Sequence, residues 1–302
     1  MRSLRGLTAL LLHIGNSLLW CLPLYALIPV KLLAFRPSWR ARVDRLLAAA
    51  ADGWVGGTLW LTRRLQSLDL ELEPLPELAP QGRYLVVCNH QSWVDIIVLI
   101  HLLPRTIPFP RFFTKKEMLW LPLLGIAFWA LDFPIMHRYS REFLERHPHL
   151  RGRDLLNARR ACERFRKRPV TIVNFLEGTR LTPEKHARQE SPYRHLLRPR
   201  FGGVALVVNA LGEDLDAVLD LTVVYPAGVP SFWDFLCGHR HPVRATSRVL
   251  GIPPRLRGGD YGADGEYRRN FQVWIEEIWE EKDRSIAGLL AKAPAGGEFP
   301  GR

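Results

Sequence analysis

The chain has 302 residues, of which 47% are hydrophobic, and its formal net charge is +12. This length is enough for one folded domain together with a membrane-associated element. Four widely spaced cysteines argue against a disulfide-stapled secreted domain. Paired zinc ligands, a basic heptad helix and an aromatic-glycine RNA-binding block are all missing from the sequence. Nucleic-acid binding would therefore rest on charge alone, and no nucleic-acid partner is predicted.

The N-terminal apolar segment is the first predicted element. Residues 6 to 30 contain no Asp, Glu, Lys or Arg. As a helix at ~1.5 Å per residue they would extend ~37 Å, enough to cross a ~30 Å hydrocarbon layer. Pro23 and Pro29 interrupt helical hydrogen bonding, so a kinked or re-entrant helix pair that enters one leaflet is the alternative to a span. A cleaved signal peptide is disfavoured, because the run is longer than a typical signal core and lacks a clear cleavage site.

Basic residues follow this segment and predict its orientation. Positive charge favours the cytoplasmic side of a membrane, so the rest of the chain is predicted to lie on the cytoplasmic face. Residues 46 to 61 are apolar but contain Asp52 and three glycines, which favours a helix packed on the domain or lying in the interface over a second span. We therefore assign residues 1–65 to a membrane-associated helical region. The basic residues are Lys31, Arg36, Arg40, Arg42 and Arg45, against Arg2 and Arg5 before the segment.

The segment Asn89-His90-Gln91-Ser92-Trp93-Val94-Asp95 follows a predicted strand, Tyr84–Cys88. A histidine on the turn and an aspartate in the first turn of the next helix place a carboxylate against one ring nitrogen, while the other nitrogen faces a substrate. This pattern is typical of a general base with its orienting partner. The alternative is a capped helix start in which His90 only hydrogen-bonds nearby groups. Cys88 is two residues from His90, and we interpret it as a packed side chain in preference to a thiolate nucleophile.

A second predicted strand, Val170–Phe175, runs into Leu176-Glu177-Gly178-Thr179-Arg180. Gly178 permits a backbone conformation that other residues resist, and the planar guanidinium of Arg180 suits a phosphate group. Because ligands gather where strands end and helices begin, both segments are expected at one pocket. The alternative is a surface ion pair between Glu177 and Arg180.

Together the two segments resemble the signatures of the glycerophosphate and lysophosphatidate acyltransferase family, Asn-His-x-x-x-x-Asp and Phe-Pro-Glu-Gly-Thr-Arg. The resemblance runs from Tyr84 to Pro226, and Arg138 matches the arginine that closes a further family block. Leu176 stands where the family usually has proline, which removes no chemical group. Residues 197–203 and 215–220 resemble the lysophospholipid and lysocardiolipin branch.

Alternating strands and helices predict an α/β domain with a central sheet. The resemblance implies a central mixed sheet flanked by helices, as in the glycerophosphate acyltransferase fold, with the N-terminal hydrophobic region as a membrane anchor. We place the catalytic domain at residues 66–291, ending in an amphipathic helix over 266–291, and a flexible tail at 292–302. Strands are predicted at 84–89, 111–115, 133–137, 170–175 and 218–225, and helices near 94–103, 155–167 and 202–211.

Residues 118 to 131 form an uncharged stretch rich in aromatic side chains. It is too short to be a span, so it is either a buried core helix or part of an acyl-chain groove or membrane-facing wall, since aromatic rings favour the boundary between apolar and wet regions.

The resemblance implies acyl transfer from an acyl thioester, of coenzyme A or acyl carrier protein, to the hydroxyl of a lysophospholipid such as 1-acylglycerol-3-phosphate. His90 would be the base and Asp95 would orient it. Arg180, with Arg138, Lys115 and Lys116, would hold the acceptor phosphate. The Glu177-Gly178-Thr179 turn would complete the site, Glu177 orienting glycerol hydroxyls or the arginine.

The predicted partners are therefore membrane phospholipids, lysophospholipids and the thioester co-substrate, with no metal and no other cofactor. Two alternatives stay open from the residues alone. One is a membrane phosphoesterase in which a divalent metal binds His90, Asp95 and Glu177, and the other is a noncatalytic membrane-surface adaptor.

Overall fold

A computed structural model describes residues 2–66, 68–73, 75–136, 146, 165–166, 168–259, 261–262 and 264–292. It begins with two long antiparallel helices, α1 (Arg2–Leu33) and α2 (Pro37–Leu65). The helix α1 runs without a break through Pro23 and Pro29. Within the described part of the chain, α1 is the helix whose length and composition are enough to cross a membrane.

The elements that follow alternate between strands and helices. They are β1 (Leu68–Leu72), β2 (Arg83–Cys88), α3 (Val94–Leu102), β3 (Pro110–Phe112), β4 (Thr114–Lys115), α4 (Leu124–Ala130), β5 (Ile135–Met136), β6 (Val170–Phe175), α5 (Pro183–Gln189), α6 (Phe201–Leu211), β7 (Ala217–Val224), α7 (Phe232–Leu236), β8 (His241–Leu250) and α8 (Gly265–Ala291). Short 3-10 turns occupy Lys116–Trp120, Gly212–Asp214 and Pro254–Leu256.

Six of these strands form one mixed sheet in the order β1-β8-β7-β2-β6-β3. All neighbouring pairs are parallel except β7 and β8, which are antiparallel. The prediction of a mixed sheet flanked by helices is therefore confirmed. The central strands β2, β6 and β7 are almost wholly buried, as expected for parallel strands that helices cover on both faces.

Alternate residues of the central strands enter two hydrophobic cores. Leu85 and Val87 of β2 face α6 and α8, whose Trp279 is fully buried there. Val86 and Cys88 face the opposite side, where α3 packs and where Ala9 of α1 joins the core. This two-residue alternation places the end of β2 between two rigid layers, so the loop that follows it has a fixed starting point.

Several predicted elements differ from the structure. The strand expected at 111–115 is two short strands that pair with different partners. Up to Phe113, whose amide donates to the carbonyl of Val173, the chain pairs with β6, whereas Thr114 pairs with Ile135 of β5. The strand expected at 133–137 begins at Ile135, and its described part is Ile135–Met136, because residue 137 lies outside the described residues. The edge strand β1 and its neighbour β8 were not predicted at all. The helix expected at 155–167 lies almost entirely outside the described residues, as does most of the predicted tail.

The stretch 118–131 is a 3-10 turn followed by α4. Ala127 and Ala130 are buried in a core shared with α1 and α2, whereas Trp120, Ile126 and Trp129 are exposed. The segment is therefore not a fully buried core helix, and its role in an acyl-chain groove or membrane-facing wall stays a prediction. One face packs on the N-terminal helices, and the other presents aromatic and aliphatic side chains to the outside.

Candidate active site

The two sequence motifs lie at the same edge of the sheet because β2 and β6 are adjacent and parallel, with Cys88 opposite Phe175. Backbone hydrogen bonds then join the two loops, from the amide of Leu176 to the carbonyl of Cys88 (3.2 Å) and from the amide of Leu181 to the carbonyl of His90 (2.8 Å). The structure therefore brings the histidine loop and the Glu-Gly-Thr-Arg turn together, as the sequence predicted.

His90 and Asp95 form a hydrogen-bonded pair, with 2.8 Å between Nδ1 of His90 and Oδ2 of Asp95. The same carboxylate oxygen accepts the backbone N–H groups of Gln91 (2.7 Å) and Ser92 (2.9 Å). Asp95 is 1% exposed, and the imidazole stacks on the Phe175 ring with 4.1 Å between centroids. A carboxylate on Nδ1 selects the tautomer that leaves Nε2 free to accept a proton. The pair has the geometry of a general base.

Glu177 lies beneath the histidine loop. It is fully buried, and its Oε1 accepts the backbone N–H of His90 at 3.4 Å. Burial raises its pKa well above the usual 4.5, and the nearby charge of Asp95 adds to the increase. Because Glu177 is fully buried whereas Arg180 is exposed, the alternative of a surface ion pair between the two is wrong. The contact that Glu177 makes is with the backbone of the base, not with the arginine it was predicted to orient.

The turn after Glu177 and the helix α5 each place one cation beside the histidine loop. Gly178 has φ 65°, a left-handed conformation that favours glycine. The guanidinium carbon of Arg180 lies 5.1 Å from the centre of the Trp93 ring, within the range of a cation–π contact. Lys185, from α5, donates to Thr179 Oγ1 (2.8 Å) and to the carbonyl of Arg180 (2.9 Å). An anion at this turn would therefore meet Arg180 and Lys185 beside the histidine loop.

Three further cations were predicted to help hold the acceptor phosphate. Arg138 lies outside the described residues, as does the side chain of Lys115, whose backbone is in β4. Lys116 is exposed at the first position of the 3-10 turn Lys116–Trp120. Among the described residues, nothing joins Lys116 to the catalytic pair, and its role stays a prediction.

Cys88 is fully buried on the inner face of β2, and burial strongly raises the pKa of its thiol. A thiol held neutral cannot be an effective nucleophile, so Cys88 is a packing residue, as interpreted from the sequence. In the part of the chain that the structure describes, no group of three His, Cys, Asp or Glu side chains is arranged to hold a metal ion.

Two residues of the site were not singled out from the sequence. Tyr225, directly after β7, donates its hydroxyl to Oδ1 of Asp95 at 2.5 Å. Lys185 contacts the Arg180 turn from α5. Tyr225 lies near the end of the range 84–226 that resembles the family, and its place at the end of a predicted strand could have drawn attention to it. Lys185 lies in the short helix α5, in a charged stretch of sequence where spacing alone does not separate it from its neighbours.

Comparison with known proteins places this arrangement in context. A family model described as Acyltransferase matches residues 70–229. Lysocardiolipin acyltransferase 1 of Danio rerio is 28% identical over an alignment covering 97% of this chain and 74% of that protein. The 1-acyl-sn-glycerol-3-phosphate acyltransferase epsilon of Mus musculus is 27% identical, covering 66% of this chain and 56% of the relative. The chain thus spans between about half and three quarters of the length of these relatives.

A solved structure shares the fold. The crystal structure of the 1-acyl-sn-glycerophosphate acyltransferase PlsC from Thermotoga maritima superposes with a TM-score of 0.56. The match covers 98% of this chain and 100% of that one, at 17% sequence identity. It confirms the predicted acyltransferase-like fold, including the N-terminal helical region.

Proposed function

We propose that this chain, which belongs to the acyltransferase family, transfers a fatty acyl group from an acyl thioester to a lysophospholipid hydroxyl in phospholipid synthesis or remodelling. The observation that carries the proposal is the His90–Asp95 pair at 2.8 Å, beside the turn that bears Arg180 and that Lys185 of α5 contacts. A base next to an anion-binding turn suits an acceptor that has a hydroxyl and a phosphate on one glycerol unit.

The proposed reaction uses Nε2 of His90, the ring nitrogen that does not contact Asp95. Nε2 of His90 takes the proton of the acceptor hydroxyl as its oxygen attacks the thioester carbonyl, and Asp95 stabilises the imidazolium that forms. The tetrahedral intermediate collapses, the carbon–sulfur bond breaks, and the proton passes from His90 to the departing thiolate. The products are an ester and a free thiol. General-base assistance gives about 10² to 10⁴-fold, so positioning of the two substrates supplies much of the remaining acceleration.

The acceptor is proposed to be a lysophospholipid such as 1-acylglycerol-3-phosphate, with its phosphate on Arg180 and Lys185. The guanidinium stacked on Trp93 keeps its N–H edge available for a bidentate contact with phosphate oxygens. The relatives whose names specify lysocardiolipin and 1-acyl-sn-glycerol-3-phosphate acyltransferases support this substrate class. The donor is proposed to be the thioester of coenzyme A or of acyl carrier protein.

Membrane association is proposed to occur through α1 lying along the bilayer surface. Near its start, Arg5 donates to the carbonyl of Leu65, and Ala9 is buried in the domain core. Near its end, Lys31 donates to the carbonyl of Ala130 (2.6 Å) and pairs with Asp132 (2.9 Å). A helix attached to the same domain near both ends lies along that domain, which supports an orientation along the bilayer surface over a perpendicular span.

The outer face of α1 provides the apolar surface for this contact. Near one end α1 packs against α4, which carries the exposed Trp129, and near the other Trp233 of α7 lies against Gly6. Aromatic side chains at both ends suit the boundary between headgroups and acyl chains. We call this set the membrane-facing surface. It comprises Leu4, Leu7, Leu11, Leu18, Leu22, Phe35, Trp39, Trp120, Trp129, Phe232 and Trp233.

The cytoplasmic face is proposed from the basic residues after α1. Arg36, Arg42 and Arg45 are exposed and available to anionic headgroups. Lys31 differs from the expectation, because it is 2% exposed and paired with Asp132 and Asp44. It therefore fastens α1 to the domain and does not contact lipid headgroups.

The proposal is tested with purified protein, labelled acyl-coenzyme A or acyl carrier protein, and a panel of lysolipids whose products are identified by mass. His90→Ala should reduce acyl transfer by at least about 10²-fold. Arg180→Ala should chiefly raise KM for phosphorylated acceptors. His101→Ala is the matched control, because this histidine is on α3 and bonds the backbone of Ile97. Full activity in folded His90→Ala protein, or phosphoester hydrolysis that a chelator abolishes, would exclude the mechanism.

A further inference from the structure

The two carboxylate oxygens of Asp95 have partners of different origin. Oδ2 bonds His90, Gln91 and Ser92, which all belong to the same loop as Asp95 itself. Oδ1 accepts the hydroxyl of Tyr225, which comes from the far end of β7. The bonds on Oδ2 hold the loop to itself, whereas the bond on Oδ1 ties the carboxylate to the sheet.

The position of Tyr225 relative to that loop is set by Asn89. Its side-chain amide donates to the carbonyl of Val223 (2.8 Å) and accepts from the amide of Val223 (2.9 Å). These two bonds continue the pairing of β2 with β7 beyond Cys88 and Leu221, using a side chain in place of a backbone. Asn89 precedes His90 by one residue, and Val223 precedes Tyr225 by two. The amide thus fixes the register between the base and the tyrosine.

We propose that Tyr225 is a positioning residue for the acyl transfer reaction, acting through Asp95 and held in register by Asn89. This inference rests on the proposed function. The hydroxyl at 2.5 Å restricts rotation of the carboxylate about its Cβ–Cγ bond and so keeps Oδ2 directed at Nδ1 of His90. Without it, only the amides of its own loop hold the carboxylate, so the imidazole is less restricted and Nε2 samples more orientations that do not face the acceptor hydroxyl.

The surroundings of Tyr225 suit this role. Tyr225 is 5% exposed, and burial, followed by the charge of Asp95, raises the pKa of its hydroxyl well above the usual 10. The hydroxyl therefore stays protonated and remains a donor. No solvent molecule can readily replace it, since Asp95 is itself buried.

The test compares kcat and KM in Tyr225→Phe, which removes one oxygen and keeps the ring. We expect kcat to fall roughly 10- to 100-fold, the effect of losing a hydrogen bond to a charged group, with KM for the lysolipid unchanged. Tyr84→Phe is the matched control. Tyr84 is a buried tyrosine of the neighbouring strand β2, and its hydroxyl donates to the carbonyl of Ala79 at 3.0 Å, so its loss should leave kcat unchanged.

Two further measurements separate positioning from general stability. In the double variant Tyr225→Phe with Asp95→Asn, kcat should equal that of Asp95→Asn alone, because the tyrosine acts only through that carboxylate. The inference would be overturned if the two substitutions reduced kcat by independent factors in the double variant, or if kcat were unchanged in folded Tyr225→Phe. The Nδ1 proton resonance of His90 provides a readout without catalysis. It should be altered in Tyr225→Phe and not in Tyr84→Phe, and it tests the inference even if acyl transfer itself were absent.

Discussion

Asp95 receives hydrogen bonds from its own loop and from β7, and Glu177 accepts one from the backbone of His90. Both carboxyl groups are buried next to the histidine loop, yet they differ in their hydrogen-bond partners. Asp95 has three nitrogen donors and a hydroxyl, whereas the second oxygen of Glu177 is buried without a hydrogen-bond partner among the described residues. Asp95 orients the base, whereas Glu177 supports the backbone of His90.

Glu177 makes stability depend on pH. Its pKa in the folded state is raised above 4.5, so the folded protein retains a proton that the unfolded chain releases. The wild-type protein therefore loses stability as the pH rises from the ordinary glutamate pKa through the pKa of Glu177 in the folded state. Glu177→Gln should remove that loss. We expect its Tm to exceed the wild-type value at neutral pH and the difference to vanish below about pH 4.

Thermal melts across this pH range are the measurement. Glu213→Gln, at an exposed position in the Gly212–Asp214 turn, is the control and should follow the wild-type curve. A Glu177→Gln protein that melts at or below the wild-type temperature at neutral pH would show that the ionised carboxylate stabilises the fold.

At the scale of elements, α8 is fastened to the sheet by a buried ion pair as well as by apolar packing. Nζ of Lys282 lies 2.5 Å from Asp220 and bonds the carbonyl of Leu221 and the hydroxyl of Thr222. Arg248 of β8 completes the cluster on Asp220. These contacts join α8, β7 and β8, and Tyr225 follows β7 directly. The helix therefore helps to hold the strand that presents Tyr225.

Lys282→Met should destabilise the protein by about 3 kcal/mol, because it keeps the volume of the side chain but leaves Asp220 buried with one cationic partner. Urea unfolding measures the change. Arg284→Ala, on an exposed position of the same helix, should change stability little. The double variant Lys282→Met with Asp220→Asn should recover part of the loss. Equal stability of Lys282→Met and wild type would show that the ion pair does not fasten the helix.

For the molecule as a whole, the apolar exterior is concentrated on α1 and on the aromatic residues near its two ends. Contiguous exposed apolar area of this kind marks a contact surface. The exposed arginines after α1 and the net charge of +12 suit an anionic lipid surface. The histidine loop is linked to the same side, because Ser92 donates to the carbonyl of Pro230, two residues before Phe232.

The membrane-facing surface predicts a specific loss of lipid binding. Leu11→Ser with Leu22→Ser should weaken binding to anionic vesicles by at least about tenfold, from the lost apolar contact, without changing the melting temperature. Co-sedimentation with vesicles measures the bound fraction. Val273→Ser, an exposed apolar position on α8, is the control. Unchanged binding of the double variant would mean that another surface contacts the bilayer.

Local sequence was sufficient for the motifs, the strands that precede them, the apolar N-terminal helix and the C-terminal helix, because each follows from neighbouring residues and their periodicity. The strand β1 alternates leucines at 68, 70 and 72 and was still missed, and β8 was missed because Pro242, Arg244 and Arg248 make it polar. Only the tertiary structure decided that Tyr225 bonds Asp95, that Glu177 lies under His90 and that Lys31 is buried. These contacts join residues far apart in the chain, and they depend on strand register and packing, which spacing along one sequence does not specify.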